Sequence, residues 1–172
     1  MLRAPALFVF SFSLFTPLAA SAQNSSVPSS APAFEQFKTL VGDWEGVDSR
    51  GNKVAVHYEI VAGSVLMERL QPEGEAGMIT MYSMDTDHIV AIHFCSAGNQ
   101  PILETPPLSA ATGKYNFTLA HTYGMKTAND LHMTELLVTI ADKNHFTQIW
   151  TNHANGKTGT NTISYTRKST TT

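Results

Sequence analysis

The sequence predicts an all-β domain, an antiparallel up-and-down barrel of about ten strands with a short N-terminal helix. Three observations carry this expectation. Beyond residue 43, short runs rich in β-branched and aromatic residues follow one another, each bounded by Gly, Pro, Asn or Asp. The segments between them are suited to turns: Ser49-Arg50-Gly51-Asn52, Ala62-Gly63, Asp85-Thr86-Asp87, Ala141-Asp142-Lys143-Asn144 and Asn155-Gly156, the last being the strongest two-residue hairpin signal. No apolar pattern of helical period follows the first helix, which argues against a parallel sheet wound with crossover helices. So many short strands must hide their edges, and closure into a barrel removes the edges altogether. A sandwich with Greek-key crossovers competes, but short, regular hairpins favour the barrel.

At the N-terminus, Arg3, the apolar residues 6–18 and Ala20-Ser21-Ala22 have the order of a signal peptide with an A-x-A cleavage site, so residues 1–22 are expected to be removed. Ser11, Ser13 and Pro17 break the apolar stretch, which is too short to span a bilayer as a stable helix. Residues 23–33, QNSSVPSSAPA, have no apolar period and are expected to form a disordered linker. The domain is expected over 34–168. It opens on AFEQFKTLVG, where Phe34, Phe37, Leu40 and Val41 share one helical face and Gly42 is a natural stop. Strands are expected at 44–48, 54–60, 64–70, 78–84, 88–95, 101–104, 115–120, 132–140, 145–151 and 159–167. Residues 121–130, HTYGMKTAND, fit neither period and read as a long loop at one rim.

Composition narrows the partners. Loss of the leader removes only Arg3 among the charged residues, leaving ten basic against 14 acidic side chains with no block of like charge. That disfavours nucleic acid or an anionic membrane surface as the main partner. Cys95 is alone, so no internal disulfide supports the fold. A body of about 150 residues nevertheless buries enough surface for a core without staples. The seven histidines form no H-x-H or H-E-x-x-H, and no metal site is expected.

The stretch Leu40-Val41-Gly42-Asp43-Trp44-Glu45-Gly46 carries a G-x-W-x-G pattern directly after the helix. With MITMYSMDTDHIVAIHFCSAGNQP and HFTQIWTNHANGK, it resembles exported bacterial lipocalin-like (calycin) barrels of unknown function, over about residues 34–167. The resemblance implies a β-barrel with a Trp packed at one closed end, and often a cavity for an apolar or planar molecule. Haem-binding barrels such as nitrobindin share this opening and use a histidine late in the chain. Neither His145 nor His153 matches that position, so neither haem nor another cofactor is carried over. Trp44 is expected to seal the barrel floor, with ligand contact as its second role.

The candidate site starts from TMYSMDTDHIVAIHFC. A two-residue turn at Asp85-Thr86 would set Tyr82 opposite Ile89, Thr80 opposite Ala91 and Met78 opposite His93. Thr80, Tyr82, His93 and Cys95 then share one face, and Met81, Val90, Ile92 and Phe94 the other. Either the aliphatic face packs the interior, or the uncharged polar face lines a cavity and supplies a few directed hydrogen bonds. Asn99 and Gln100 follow in a rim loop, where amides tie down backbone groups or touch a ligand. On later strands His132, Thr134, Leu136 and Val138 are expected on one face, and Phe146, Gln148 and Trp150 on one face. A buried Gln148 amide must find partners, from His132 or from a ligand. The expectation is an exported, periplasmic or secreted protein holding a small apolar or planar ligand in its barrel. Tyr82, His93, His132 and Gln148 would orient that ligand, Trp44 and Trp150 would form walls, and Cys95, Asn99 and Gln100 a rim. No catalytic residue is assigned, because His93 and Cys95 two apart on a strand are not thereby in contact. An enzyme using His93 as general base, and a packed envelope protein without a ligand, stand as alternatives.

Overall fold

The computed structural model describes residues 31–169; the expected signal peptide and most of the expected linker lie outside the described residues. One helix, α1 (Ala31–Lys38), precedes ten strands: β1 (Gly42–Asp48), β2 (Lys53–Val61), β3 (Val65–Pro72), β4 (Met78–Asp85), β5 (His88–Phe94), β6 (Gln100–Glu104), β7 (Lys114–Tyr123), β8 (His132–Ile140), β9 (His145–Ala154) and β10 (Lys157–Arg167). Each strand pairs antiparallel with its neighbours in sequence, and β10 returns to pair with β1, closing the barrel. Asn155 and Gly156 adopt φ of 50° and 73° between the paired Ala154 and Lys157, the double left-handed geometry that Asn-Gly favours in tight hairpins.

Apolar side chains fill the end of the barrel nearest α1. Phe34, Phe37 and Leu40 are buried, and Phe37 meets Tyr82 and Tyr115 edge-on, both at 4.9 Å between centroids. Such edge contacts suit the ring quadrupoles. The helix extends three residues into the expected linker: Ala33 is buried and its carbonyl accepts a hydrogen bond from the Tyr115 hydroxyl. Val41 is exposed, because the helix ends at Lys38 and the next turn carries it out of line.

Trp44 seals this end. Its indole N–H donates to the Leu40 carbonyl, Phe146 packs edge-on against it, and the Arg167 guanidinium lies over its face at 4.0 Å. Gly46 in the same motif has a steric reason, since a Cβ there would lie 2.5 Å from the ring of its cross-strand partner Tyr165.

Three expectations need correction. The β4–β5 turn is Thr86-Asp87, with Asp85 opposite His88, so Thr80 faces His93 and Tyr82 faces Ala91. The register differs by two positions rather than one, so the two faces keep their expected members. Residues 121–123 belong to β7, pairing with β6; a bulge beside Ile102 and Leu103 breaks the period-two pattern there and hides the strand. In β8 a bulge between Met133 and Glu135 puts His132 opposite the outward-facing His153. It leaves Met133, not His132, on the inner side.

Candidate functional site

At the end opposite α1 the barrel is not filled. A cavity of about 330 Å³ opens there, lined from eight of the ten strands. Its inner wall is Val54, Leu70, Met78, His93, Met133, Trp150 and Ile163; Asp48, Arg50, Glu75, Cys95, Asn152 and Asn161 lie toward the mouth. The size sits at the lower end of the ~300–1,000 Å³ usual for ligand pockets, and an apolar wall with few polar atoms is their usual character.

The polar face of the β4–β5 hairpin is the inner one. Thr80, Tyr82 and His93 are buried, while Phe94 on the aliphatic face is exposed. Strand pairing sets Tyr58, Glu68, Thr80 and His93 in one cross-strand row over β2, β3, β4 and β5. Side chains opposed in this way stand within reach of one another. Here they form a hydrogen-bonded chain. Oε2 of Glu68 accepts from the hydroxyls of Tyr58 (2.5 Å) and Tyr82 (2.9 Å) and from Nε2 of Gln148 (2.7 Å), which crosses from the opposite wall. Among the described residues Oε1 has only Thr80 Oγ1, at 3.3 Å, and the same hydroxyl lies 2.9 Å from Nδ1 of His93. Gln148 is held in one orientation: its carbonyl accepts from Trp150 Nε1 and from the Tyr165 hydroxyl, both at 3.2 Å.

Glu68 is fully buried. Loss of water raises the proton affinity of its carboxyl above the ordinary glutamate value, and hydrogen bonds from Tyr58, Tyr82, Gln148 and Thr80 partly restrain that rise. Burial, and then the Glu68 charge, push the Tyr58 and Tyr82 phenols well above their ordinary range, so both remain donors. Burial lowers His93 to about 4, so its imidazole is neutral at neutral pH. Only Nδ1 of His93 has a protein partner among the described residues; Nε2 is left to the cavity that the ring lines. The ring also leans on Trp150, with centroids 4.8 Å apart.

Asp48 and the turn after it form one lip of the mouth. Burial pushes the Asp48 carboxyl up, but hydrogen bonds from the Asn52 amide and from Arg50 outweigh this and hold it down at about 2. Asp48 therefore stays charged and ties Arg50 back, with Nη2 2.9 Å from Oδ2.

Of the residues expected to touch a ligand, His93 and Trp150 line the cavity, and Cys95 stands near its mouth. Tyr82 and Gln148 lie beneath it and reach it through Glu68, Thr80 and Trp150. Trp44 belongs to the closed floor and forms no wall of the cavity. His132 is on the outer side, its Nδ1 2.8 Å from the Asp130 carbonyl. Asn99 donates from Nδ2 to the Leu131 carbonyl, which fixes the loop, and Gln100 pairs in β6; neither lines the cavity. His145 and His153 also face outward, His145 against Asp142 and His153 against His132.

Glu68 is absent from the sequence-derived candidates, although a signal existed. Leu66, Glu68 and Leu70 alternate along β3, which places a carboxylate on a face otherwise apolar. Among the described residues no three His, Cys, Asp or Glu side chains are arranged to hold a metal ion. No described helix is long and apolar enough to cross a membrane.

Fold and site together define a closed ten-strand antiparallel barrel, lipocalin-like, with a plugged floor and an open cavity. No family model and no curated protein matches the sequence. Among solved structures, Rv2717c from M. tuberculosis aligns with a TM-score of 0.59 at 14% identity, over 80% of this chain and 98% of that one. A protein of unknown function from the DUF3598 family of Nostoc punctiforme aligns with a TM-score of 0.53 at 8% identity, over 77% of this chain and 49% of that one. At such identity the likeness is one of fold.

Proposed function

We propose that this protein is an exported binding protein of the lipocalin-like kind that holds a small, flat, largely apolar molecule in the open end of its barrel. One observation carries the proposal: the inner wall of the cavity is aliphatic and aromatic, and of its side-chain nitrogens His93 Nε2 alone has no protein partner among the described residues. Such a surface gains from excluding water along its length and from one directed hydrogen bond at its end. Trp150 supplies a face for a ring, and the charged lip at Asp48 and Arg50 remains in water. Export rests on the signal-peptide pattern of residues 1–22.

The test is a fluorescence titration with 4-nitroanisole, a flat nitroaromatic that quenches a tryptophan it contacts. Saturable quenching is expected, and Cys95→Trp, which crowds the mouth, abolishes the saturable step. Saturation unchanged in Cys95→Trp, or no saturation in the wild type, overturns the reading.

A further inference from the structure

The cavity wall is connected to a buried carboxyl by a continuous chain of hydrogen bonds. Nε2 of His93 faces the cavity, Nδ1 meets Thr80 Oγ1 at 2.9 Å, and that oxygen meets Oε1 of Glu68 at 3.3 Å. The two carboxylate oxygens are not equivalent. Among the described residues Oε2 accepts three donors, whereas Oε1 has Thr80 alone and keeps room for a proton. The donors on Oε2 favour the anion, while complete burial outweighs them and strengthens the carboxylate's hold on an arriving proton.

We propose that Glu68, Thr80 and His93 form a proton relay, and that the cavity's ligand is a weakly acidic hydroxyl compound, a phenol or an enol, bound with its hydroxyl on His93 Nε2. The proposal rests on the cavity reading and names the chemistry of its inner end. In the transfer the ligand O–H bond breaks and its proton joins Nε2. The proton on Nδ1 passes to Thr80 Oγ1, and the hydroxyl proton of Thr80 passes to Oε1 of Glu68. His93 and Thr80 end neutral, with the imidazole in its other tautomer. One negative charge has moved from Glu68 to the ligand oxygen, and no oxidant or further reactant is needed. The groups facing Glu68 are Tyr58 from β2, Thr80 and Tyr82 from β4 and Gln148 from β9, with the Tyr165 hydroxyl of β10 behind Gln148. All are neutral, so among the described residues that bond to it no fixed positive charge holds Glu68 as an anion against the arriving proton. His93 is faced by Thr80 and Trp150, and the charged groups Asp48, Arg50 and Glu75 stand at the mouth.

The experiment uses 4-nitrophenol, whose anion is yellow, beside 4-nitroanisole, which has no proton to give. At a neutral pH, the bound nitrophenol shows its anion band in the wild type. That band falls at least tenfold in Thr80→Val, which cuts the relay while leaving the tyrosine and glutamine donors on Glu68. It returns in Thr80→Ser, which restores a hydroxyl. Glu68→Gln loses it as well, provided the melting transition shows a folded protein; Thr80→Val carries the test if it does not. An equal anion fraction in wild type and Thr80→Val overturns the relay. Binding of 4-nitroanisole without 4-nitrophenol overturns the ligand class alone. Binding of neither overturns the cavity reading with it.

Discussion

Acid should destabilise this protein through His93, and the amount follows from its burial. The imidazole ordinarily gains its proton near pH 6.5, but burial against Trp150 and Thr80 lowers this to about 4 in the folded state. Between those two values the unfolded chain binds a proton that the folded chain refuses. Stability from this group is therefore intact above 6.5 and is lost as pH falls through about 4. Each tenfold difference in proton affinity is about 1.4 kcal/mol, so the whole interval amounts to about 3 kcal/mol, a large share of the ~5–15 kcal/mol typical of a folded domain. Glu68 opposes this trend: its raised affinity makes the folded state take up a proton before the unfolded one does, so acidification relieves its burial cost. Comparison with His93→Gln isolates the histidine, because Gln keeps a hydrogen-bonding side chain without titrating. Urea unfolding at several pH values from neutral to 4 is the assay. The wild type should lose about 3 kcal/mol more than His93→Gln over that range. Equal losses in the two proteins would show that the folded state accepts the proton readily, and the buried, neutral His93 would have to be abandoned.

Other outcomes follow from the same geometry. Glu68→Leu strands the Tyr58, Tyr82 and Gln148 donors together, so unfolding free energy should fall by ~3–5 kcal/mol, whereas a loss under ~1 kcal/mol would show these donors readily satisfied elsewhere. Gly46→Ala forces a Cβ into the Tyr165 ring, which is stacked on Phe146 at 4.4 Å and has little room to retreat; thermal unfolding should report a cost of ~1–3 kcal/mol. Cys95, half-buried near the mouth, should react with a water-soluble disulfide reagent, and saturating 4-nitroanisole should slow that reaction; an unchanged rate would separate the thiol from the bound probe.

The architecture was written locally, in strands of alternating burial and in turns such as Asn155-Gly156, and local rules recover both. The faces of β4 and β5 were legible for the same reason, since an error of two positions in register exchanges no residue between faces. The bulges were not legible. The extra residue in β8 reverses which side His132 occupies, and it shows in the pairing with β9, not in the alternation of the β8 sequence. Glu68 shows the deeper limit. Alternation along β3 points it inward, but what makes it tolerable is a set of donors on β2, β4 and β9, up to 90 positions from one another in the chain. Only closure of the barrel assembles that set, and with it the link from Glu68 to the cavity.

The most direct measurement is an NMR experiment on the intact protein with saturating 4-nitroanisole, reading close contacts between probe protons and assigned side chains. A ligand seated inside the barrel mouth gives contacts to the methyls of Met78 and Met133 and to the Trp150 ring, all of which line the cavity. Contacts confined to outward-facing Phe94 or Tyr123 would move the binding surface outside the barrel and contradict the account.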